Sequence, residues 1–248
     1  MHRLKLKMNQ SKTEVLLLTT KHMRPLIPDA VTVTVGDCDV SISEAVRYIG
    51  VVFDRHMSME DHVTALCKTT LCHLSAITRM RKSLSQESCQ QLVHALVTSR
   101  LDYANALLSG LPMKLIKKLQ RVQNVAARVV TYTRRAAHIT PVLKTLHWLP
   151  LQFRITFKIC LLVHKCIHGC APSYLTELIS LRHNAHDLRT TGTFLADVPR
   201  ATTNLSQRTF GVAGPQQWNA LPASIRREPN LVTFKRKLKT YLFTLAFN

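Results

Sequence analysis

Basic residues at helical spacing give the clearest chemical signal in this sequence. Placed at 100° per residue, they share one side of a helix predicted over residues 113–130, nearly opposite an apolar stripe. No acidic residue interrupts this side, and phosphates attract Lys and Arg, so the pattern favours nucleic-acid binding. The alternative is a solvated helix that is basic by chance. The cationic side holds Lys114, Lys117, Lys118, Arg121 and Arg128, and the apolar stripe holds Leu115, Leu119, Val122, Ala126 and Val129.

A second basic segment lies near the last residues of the chain. Asn230 is predicted to cap a final helix whose apolar side carries Phe234, Leu238 and Leu242. Lys235 and Lys239 are the candidate nucleic-acid contacts in this segment. Because the basic residues surround the apolar stripe broadly, binding and simple solvation explain them equally well.

The charge of the whole chain favours a polyanionic partner. The 248 residues include 34 Lys or Arg and 14 Asp or Glu, which gives a net charge of +20. Residues 1–61 are neutral overall, whereas residues 62–248 hold 26 basic and 6 acidic residues. The aliphatic runs are too short to span a membrane. An odd count of 7 Cys without a secretory signal predicts reduced thiols, and therefore an intracellular protein of the nucleus or cytoplasm.

Metal and nucleophile chemistry have little support in the sequence. Cys160, His164 and His168 share one helical face, but structural zinc needs four ligands, and no Cys-x-x-Cys pair exists. The nucleophile-elbow, Walker and glycine-rich dinucleotide motifs are also missing. His147 and Trp148 could stack on a base, although a packing pair is favoured. Trp218 is predicted to be a packing anchor, with Asn219 bonded to backbone.

The elements that must position these residues fall into two classes. A short apolar run predicts a strand at residues 14–20. A period-two pattern predicts another at 31–35, with a turn at Gly36-Asp37 and a return strand at 40–42. Residues 47–54 are predicted to form one strand that contains Gly50. Helices are predicted at 62–81, after a Ser85 cap, at 113–130, from Leu149-Pro150 to Gly169, and after Asn230. Residues 182–214 are predicted to be loop with one strand at most.

An ordered set of short motifs then suggests a family. The motifs are residues 99–108 (SRLDYANALL), 110–112 (GLP), 119–128 (LQRVQNVAAR), 146–150 (LHWLP) and 215–222 (PQQWNALP). In order and spacing they resemble LINE-type non-LTR retrotransposon polyproteins, in the region that follows the reverse transcriptase core. Residues 9–14 (NQSKTE) and 48–54 (YIGVVFD) resemble the last elements of the polymerase palm. The resemblance covers nearly all of the chain.

The resemblance implies an α+β architecture, in which a small β-rich remnant of a polymerase palm precedes a mainly helical thumb-like domain. The expected domains are palm strands at 1–61, a thumb-like domain at 62–180, and a basic C-terminal region at 181–248. In such polymerases, Lys12 would lie near the triphosphate, so it is a vestigial catalytic candidate. The paired catalytic aspartates have no counterpart, since the sequence contains no Asp-Asp pair.

The implied function is that of a fragment of an RNA-directed DNA polymerase which keeps a template–primer binding surface. Alone, the chain is expected to be inactive, and Mg²⁺ would belong to the catalytic half that these residues lack. The alternative is a stand-alone, non-catalytic nucleic-acid-binding or interaction module derived from such an element. The expected partners are RNA or DNA, bound through phosphates, and the remaining polymerase half. No membrane and no small-molecule substrate is expected.

Overall fold

The computed structural model describes residues 9, 12–19, 31–35, 38–182 and 194–248, apart from the Cys38 side chain. It confirms the α+β prediction, because a small N-terminal sheet region is followed by helices. The Cα positions divide the chain into two compact units. We call Met1–Ala65 the strand unit and Leu66–Asn248 the helical unit. The predicted turn at Gly36-Asp37 lies outside the described residues.

The strand unit contains a three-stranded sheet and a separate hairpin. Strand β1 (Val15–Leu16) pairs in parallel with β3 (Cys38–Ser43), and β2 (Thr32–Val35) pairs with the other edge of β3 in antiparallel orientation. Val33 lies opposite Val40, as a return across the predicted turn requires. Strands β4 (Ala45–Tyr48) and β5 (Val51–Asp54) form the antiparallel hairpin.

The prediction of one strand over residues 47–54 is wrong. The chain reverses at Ile49 and Gly50, which adopt φ angles of 46° and 79°. Two successive residues with positive φ form the tight turn whose twist matches a two-residue hairpin. Gly50 is therefore a turn residue rather than a bulge within a strand, and the apolar run on both sides of it supplies two strands.

Asp54 organises the connection from β5 to the first helix, α1 (Glu60–Met80). Its carboxylate accepts hydrogen bonds from the backbone N–H groups of His56, Ser58 and Met59 and from the Ser58 hydroxyl. Burial alone would raise the pKa of Asp54, but these hydrogen bonds outweigh it and lower the pKa. Ionised Asp54 thus stabilises a loop in which Met57 and Met59 both have positive φ.

The helical unit is built from short and long helices in succession. After α1 the helices are α2 (Gln86–Val93), α3 (Ser99–Asp102), α4 (Met113–Thr131), α5 (Ile139–Thr145), α6 (Leu151–Ile167), α7 (Ser173–Thr176), α8 (Asn204–Arg208), α9 (Phe210–Asn219), α10 (Ala223–Arg226) and α11 (Leu231–Phe247). Between α2 and α3 the helix widens into a π turn at His94–Thr98.

Most of the predicted helix boundaries are confirmed. The Ser85 hydroxyl accepts the Ser88 N–H at the start of α2, and Asn230 accepts from Val232 and Thr233 at the start of α11. Gly169 follows α6 with a φ of 65°, as a C-terminal glycine should. The loop prediction for residues 182–214 is wrong after Thr203, where a capping box starts α8 and α9 follows.

Helix α6 is the centre of the helical unit and packs against α4, α9 and α11. Gly214 of α9 lies so close to α6 that an added Cβ would come within 3.0 Å of Val163. One hydrophobic core of the helical unit includes residues from both sides of residue 181. That core contains Leu149, Cys160, Val163, Ala196, Trp218, Leu221, Ile225, Phe234, Leu238 and Leu242.

Candidate nucleic-acid interface

The apolar side of α4 is buried, and this burial sets the direction of the basic side. Leu115, Leu119, Val122 and Ala126 are all buried against neighbouring helices, and α4 packs against α2, α5 and α6. Because helical side chains repeat every 3.6 residues, the opposite side must face outward. The structure thus fixes which side chains of α4 reach solvent.

The C-terminal end of α4 is closed by a basic residue from another segment. Arg81, only 5% exposed, donates from its guanidinium to the carbonyl oxygens of Val129 and Val130 at 2.8 Å and to Leu84 at 2.7 Å. The same group lies 4.0 Å above the ring of Tyr132, the left-handed residue that ends α4. Arg81 therefore caps the C-terminal end of α4, where the helix dipole also stabilises a cation.

The predicted cationic side of α4 is only partly free. Lys114, Lys117 and Arg121 are exposed, whereas Lys118 and Arg128 are half-buried. Arg128 donates to the carbonyl oxygen of Ala137 at 3.2 Å, so part of its guanidinium is used inside the fold. We call Lys114, Lys117 and Arg121 the α4 cationic face, because within the described residues none of them forms an ion pair.

Three acids of the helical unit are paired with cations outside α4. Asp102 binds Arg154 through both carboxylate oxygens, Asp197 lies 3.4 Å from Arg182, and the Glu228 carboxylate accepts from Lys237 at 2.6 Å. None of these three cations belongs to α4. The Lys237 hydrogen bond, aided by the charge of that lysine, lowers the pKa of Glu228. Within the described residues, none of these three acids neutralises the α4 cationic face.

The two candidate residues of α11 are in different surroundings. Helix α11 buries Phe234, Leu238 and Leu242 in the core, which leaves Lys235 and Lys239 exposed. Lys239 lines a cavity of about 520 Å³ in the helical unit, whereas Lys235 does not. A smaller cavity of about 270 Å³ has Lys117 of α4 and the last residue of α11, Phe247, in its wall.

Lys12 lies in the strand unit and is exposed. The backbone N–H of Lys12 and the hydroxyl of Thr13 both donate to the Asn9 carbonyl, so these residues form a local turn. This turn holds the lysine on the surface of its own unit. The catalytic role that the resemblance implies for Lys12 stays a prediction.

The Cys160, His164 and His168 face is part of the packed core. His164 Nε2 bonds the Glu228 carbonyl oxygen at 2.8 Å, and its ring stacks on Phe234. Burial raises the pKa of the Cys160 thiol to about 12 and lowers the pKa of His164. Among the residues that the structure describes, no three His, Cys, Asp or Glu side chains are grouped closely enough to hold a metal ion.

The aromatic residues singled out in the sequence pack against other residues of the helical unit. Trp218 is fully buried and its indole donates to the Phe194 carbonyl, while the Asn219 amide bonds both backbone groups of Ala196. This confirms the predicted anchor. Trp148 is buried beside His94, and His147 stacks on Phe243.

Sequence reasoning missed the Asp102–Arg154 ion pair, because 52 positions separate its members and neither pattern is unusual for a helix surface.

Comparisons with known proteins identify no family for this chain. No protein-family model, no curated protein and no solved structure matches the chain.

In the described part of the chain, every helix is too short or too polar to cross a membrane. The six cysteines with described side chains are all free thiols.

Proposed function

We propose that this chain is the C-terminal part of a LINE-type non-LTR retrotransposon reverse transcriptase, and that it binds RNA or DNA through phosphate contacts. The ordered motifs at residues 99–108, 119–128, 146–150 and 215–222 support the family. The α4 cationic face supports the binding. The chain contributes template–primer binding and no catalytic carboxylates, so Mg²⁺ and catalysis belong to the rest of the polymerase, which is its expected partner.

The uncompensated charge of the α4 cationic face carries this proposal. Lys114 and Arg121 are separated by about 10 Å along the helix axis, so they can contact different phosphates of one bound strand. Basic side chains that only keep a helix soluble are usually interspersed with acidic ones, whereas α4 contains no Asp or Glu. Such a face reads charge and backbone position rather than base sequence.

A second candidate function is a stand-alone nucleic-acid-binding module without catalysis. The observation that favours it is the compact helical unit, which has a hydrophobic core of its own. This module would use the same α4 cationic face. A reducing compartment, nucleus or cytoplasm, suits both proposals, because the free thiols include the exposed Cys72 and Cys170.

The test is a salt titration of binding to single-stranded RNA, duplex DNA and an RNA–DNA hybrid. If about five phosphates are neutralised, the slope of log K against log salt is about −4.5 for a duplex, so fourfold more salt weakens binding about 500-fold. The nucleic acid that binds with the highest affinity at the same salt concentration is the preferred partner. Absent or salt-insensitive binding would contradict both candidate functions.

A further inference from the structure

The cavity of about 520 Å³ in the helical unit lies apart from the α4 cationic face. Its wall draws on the π turn through His94, on the end of α3 through Asp102, and on α6 through Arg154 and Lys158. Lys239 of α11 completes the wall on another side. A volume of this size is in the range of small-ligand pockets. A π turn in a helix often marks a functional position, because it displaces side chains from the regular register.

Aromatic rings form one part of the cavity wall. The rings of Trp148 and His94 lie 5.3 Å apart between centroids and are tilted by 59°. Phe157 of α6 also lines the cavity. Aromatic faces of this kind accept the flat face of a nucleobase, whatever its identity.

Two buried polar atoms in the wall have no partner in the described part of the chain. Asn105 is only 1% exposed, and its Nδ2 donates to Asp102 at 3.4 Å while its Oδ1 accepts nothing. Among the described residues, the indole N–H of the buried Trp148 also has no acceptor. Buried polar atoms are nearly always satisfied, so an acceptor and a donor are left for a ligand. The Watson–Crick edge of every nucleobase offers a donor beside an acceptor.

The basic residues of the cavity wall differ in whether an acidic residue neutralises them. Arg154 is held by Asp102 in a two-point ion pair, which neutralises it and fixes its position. Lys158 is half-buried and Lys239 is exposed, and within the described residues neither forms an ion pair. Two free ammonium groups beside an aromatic wall suit a phosphate that is attached to a flat ring.

We propose that this cavity binds one unstacked nucleotide, with its base against Trp148 and His94 and its phosphate at Lys158 and Lys239. This inference rests on the proposed function, because it names the part of a nucleic acid that the cavity takes. The same chemistry could come from a nucleotide of a bound single strand or from a free mononucleotide. Both sources require the ring and the phosphate together.

The experiment uses the indole N–H signals of the ¹⁵N-labelled chain, which has only two Trp residues. Trp148 lines the cavity, whereas Trp218 donates its indole N–H inside the core and serves as an internal control. AMP is titrated first, followed by ribose 5-phosphate, inorganic phosphate and a short single-stranded oligonucleotide. We expect AMP or the oligonucleotide to shift the Trp148 signal saturably while the Trp218 signal stays in place.

Charge-neutralising variants locate the phosphate. The double variant Lys158→Gln, Lys239→Gln is expected to weaken AMP binding about tenfold or more. The matched control Lys144→Gln, Lys165→Gln removes two lysines of the same unit outside the cavity and should leave the affinity unchanged. Unshifted indole signals in the free variants show that each one folds. Equal weakening in both double variants would overturn the assignment of the phosphate.

The remaining outcomes separate this inference from the proposed function. A shift with the oligonucleotide alone supports a strand as the source, and a shift with AMP alone supports a free nucleotide. If the oligonucleotide binds with a salt-dependent affinity but no probe shifts Trp148, the cavity assignment is overturned and the proposed function stands. If AMP shifts Trp148 but no nucleic acid binds, the cavity assignment stands and the proposed function fails. An equal effect of inorganic phosphate would overturn recognition of the base.

Discussion

The two ends of α4 use basic side chains in opposite ways. At its C-terminal end, Arg81 is buried and its guanidinium donates to three carbonyl oxygens, so this cation stabilises the fold. On the outer side of its first turns, Lys114, Lys117 and Arg121 reach solvent without an acidic partner in the described residues. A count of basic residues treats both groups alike. The partners of each side chain are what separate a structural cation from one that is free to bind phosphate.

The largest effect on folding is expected from Arg81→Met. The change leaves three carbonyl oxygens without their charged donor, so the free energy of unfolding should fall by about 3 kcal/mol. Arg79→Met, at an exposed position of α1, is the matched control and should change it by less than about 0.5 kcal/mol. Denaturant titration measures both variants. A loss in Arg81→Met no larger than that of the control would break the comparison, because Arg81 would then also be a free surface cation.

A smaller, pH-dependent effect on the free energy of unfolding is expected from His164, because its burial favours the neutral imidazole. Burial lowers the pKa of His164, and the charge of His168 lowers it further, while the hydrogen bond to the Glu228 carbonyl opposes both. The folded state therefore binds fewer protons than the unfolded state, and the free energy of unfolding falls as the pH drops below about 6.5.

The pKa values of His62 and His94 are also lowered by burial, so they contribute a loss of the same sign. His164→Gln keeps a donor for Glu228 and cannot titrate. It should lose less stability than the wild type between pH 7 and pH 5, as measured by denaturation at each pH. Identical pH profiles for the two chains would show that His164 is not held neutral by the fold.

The smallest effect compares two lysines of α11 that differ in their partners. Lys237 is paired with Glu228, whereas Lys235 has no ion pair in the described residues. If α11 contributes to binding, Lys235→Gln should reduce the salt slope by about 0.9, and Lys237→Gln should leave it nearly unchanged. Salt titrations of the two single variants give the answer. A larger change for Lys237→Gln would mean that pairing with an acid does not decide which lysines bind.

Local patterns predicted much of this fold because local physics determines it. The apolar repeat of α4, the Ser85 and Asn230 caps and the terminal Gly169 all involve residues close in sequence. Residues 47–54 were misassigned because a hairpin that turns at Ile49-Gly50 leaves an apolar run much like that of one strand. Helix α8 is only five residues long, and Gly211, Gly214 and Pro215 lower the helix propensity of α9, so neither has a clear periodic pattern. Packing against α6 stabilises α9.

The candidate site was only half predictable. The spacing of Lys114, Lys117 and Arg121 showed which residues share a face, but it also included Arg128, which the fold partly uses. Sequence patterns did not indicate that Arg81 caps α4, since its two acceptors in α4 lie 48 and 49 positions away. The cavity beside α6 combines residues from α3, α6 and α11, whose meeting depends on tertiary packing alone.

The central claim is that the α4 cationic face binds nucleic-acid phosphates. Its most direct test is the salt slope of duplex binding for the triple variant Lys114→Gln, Lys117→Gln, Arg121→Gln. The matched control is Arg79→Gln, Lys82→Gln, Lys144→Gln, which removes the same charge from exposed positions elsewhere. We predict a slope shallower by about 2.7 in the first variant, a nearly unchanged slope in the control, and unaltered folding in both. An unchanged slope in the α4 variant, or an equal reduction in the control, would contradict the account.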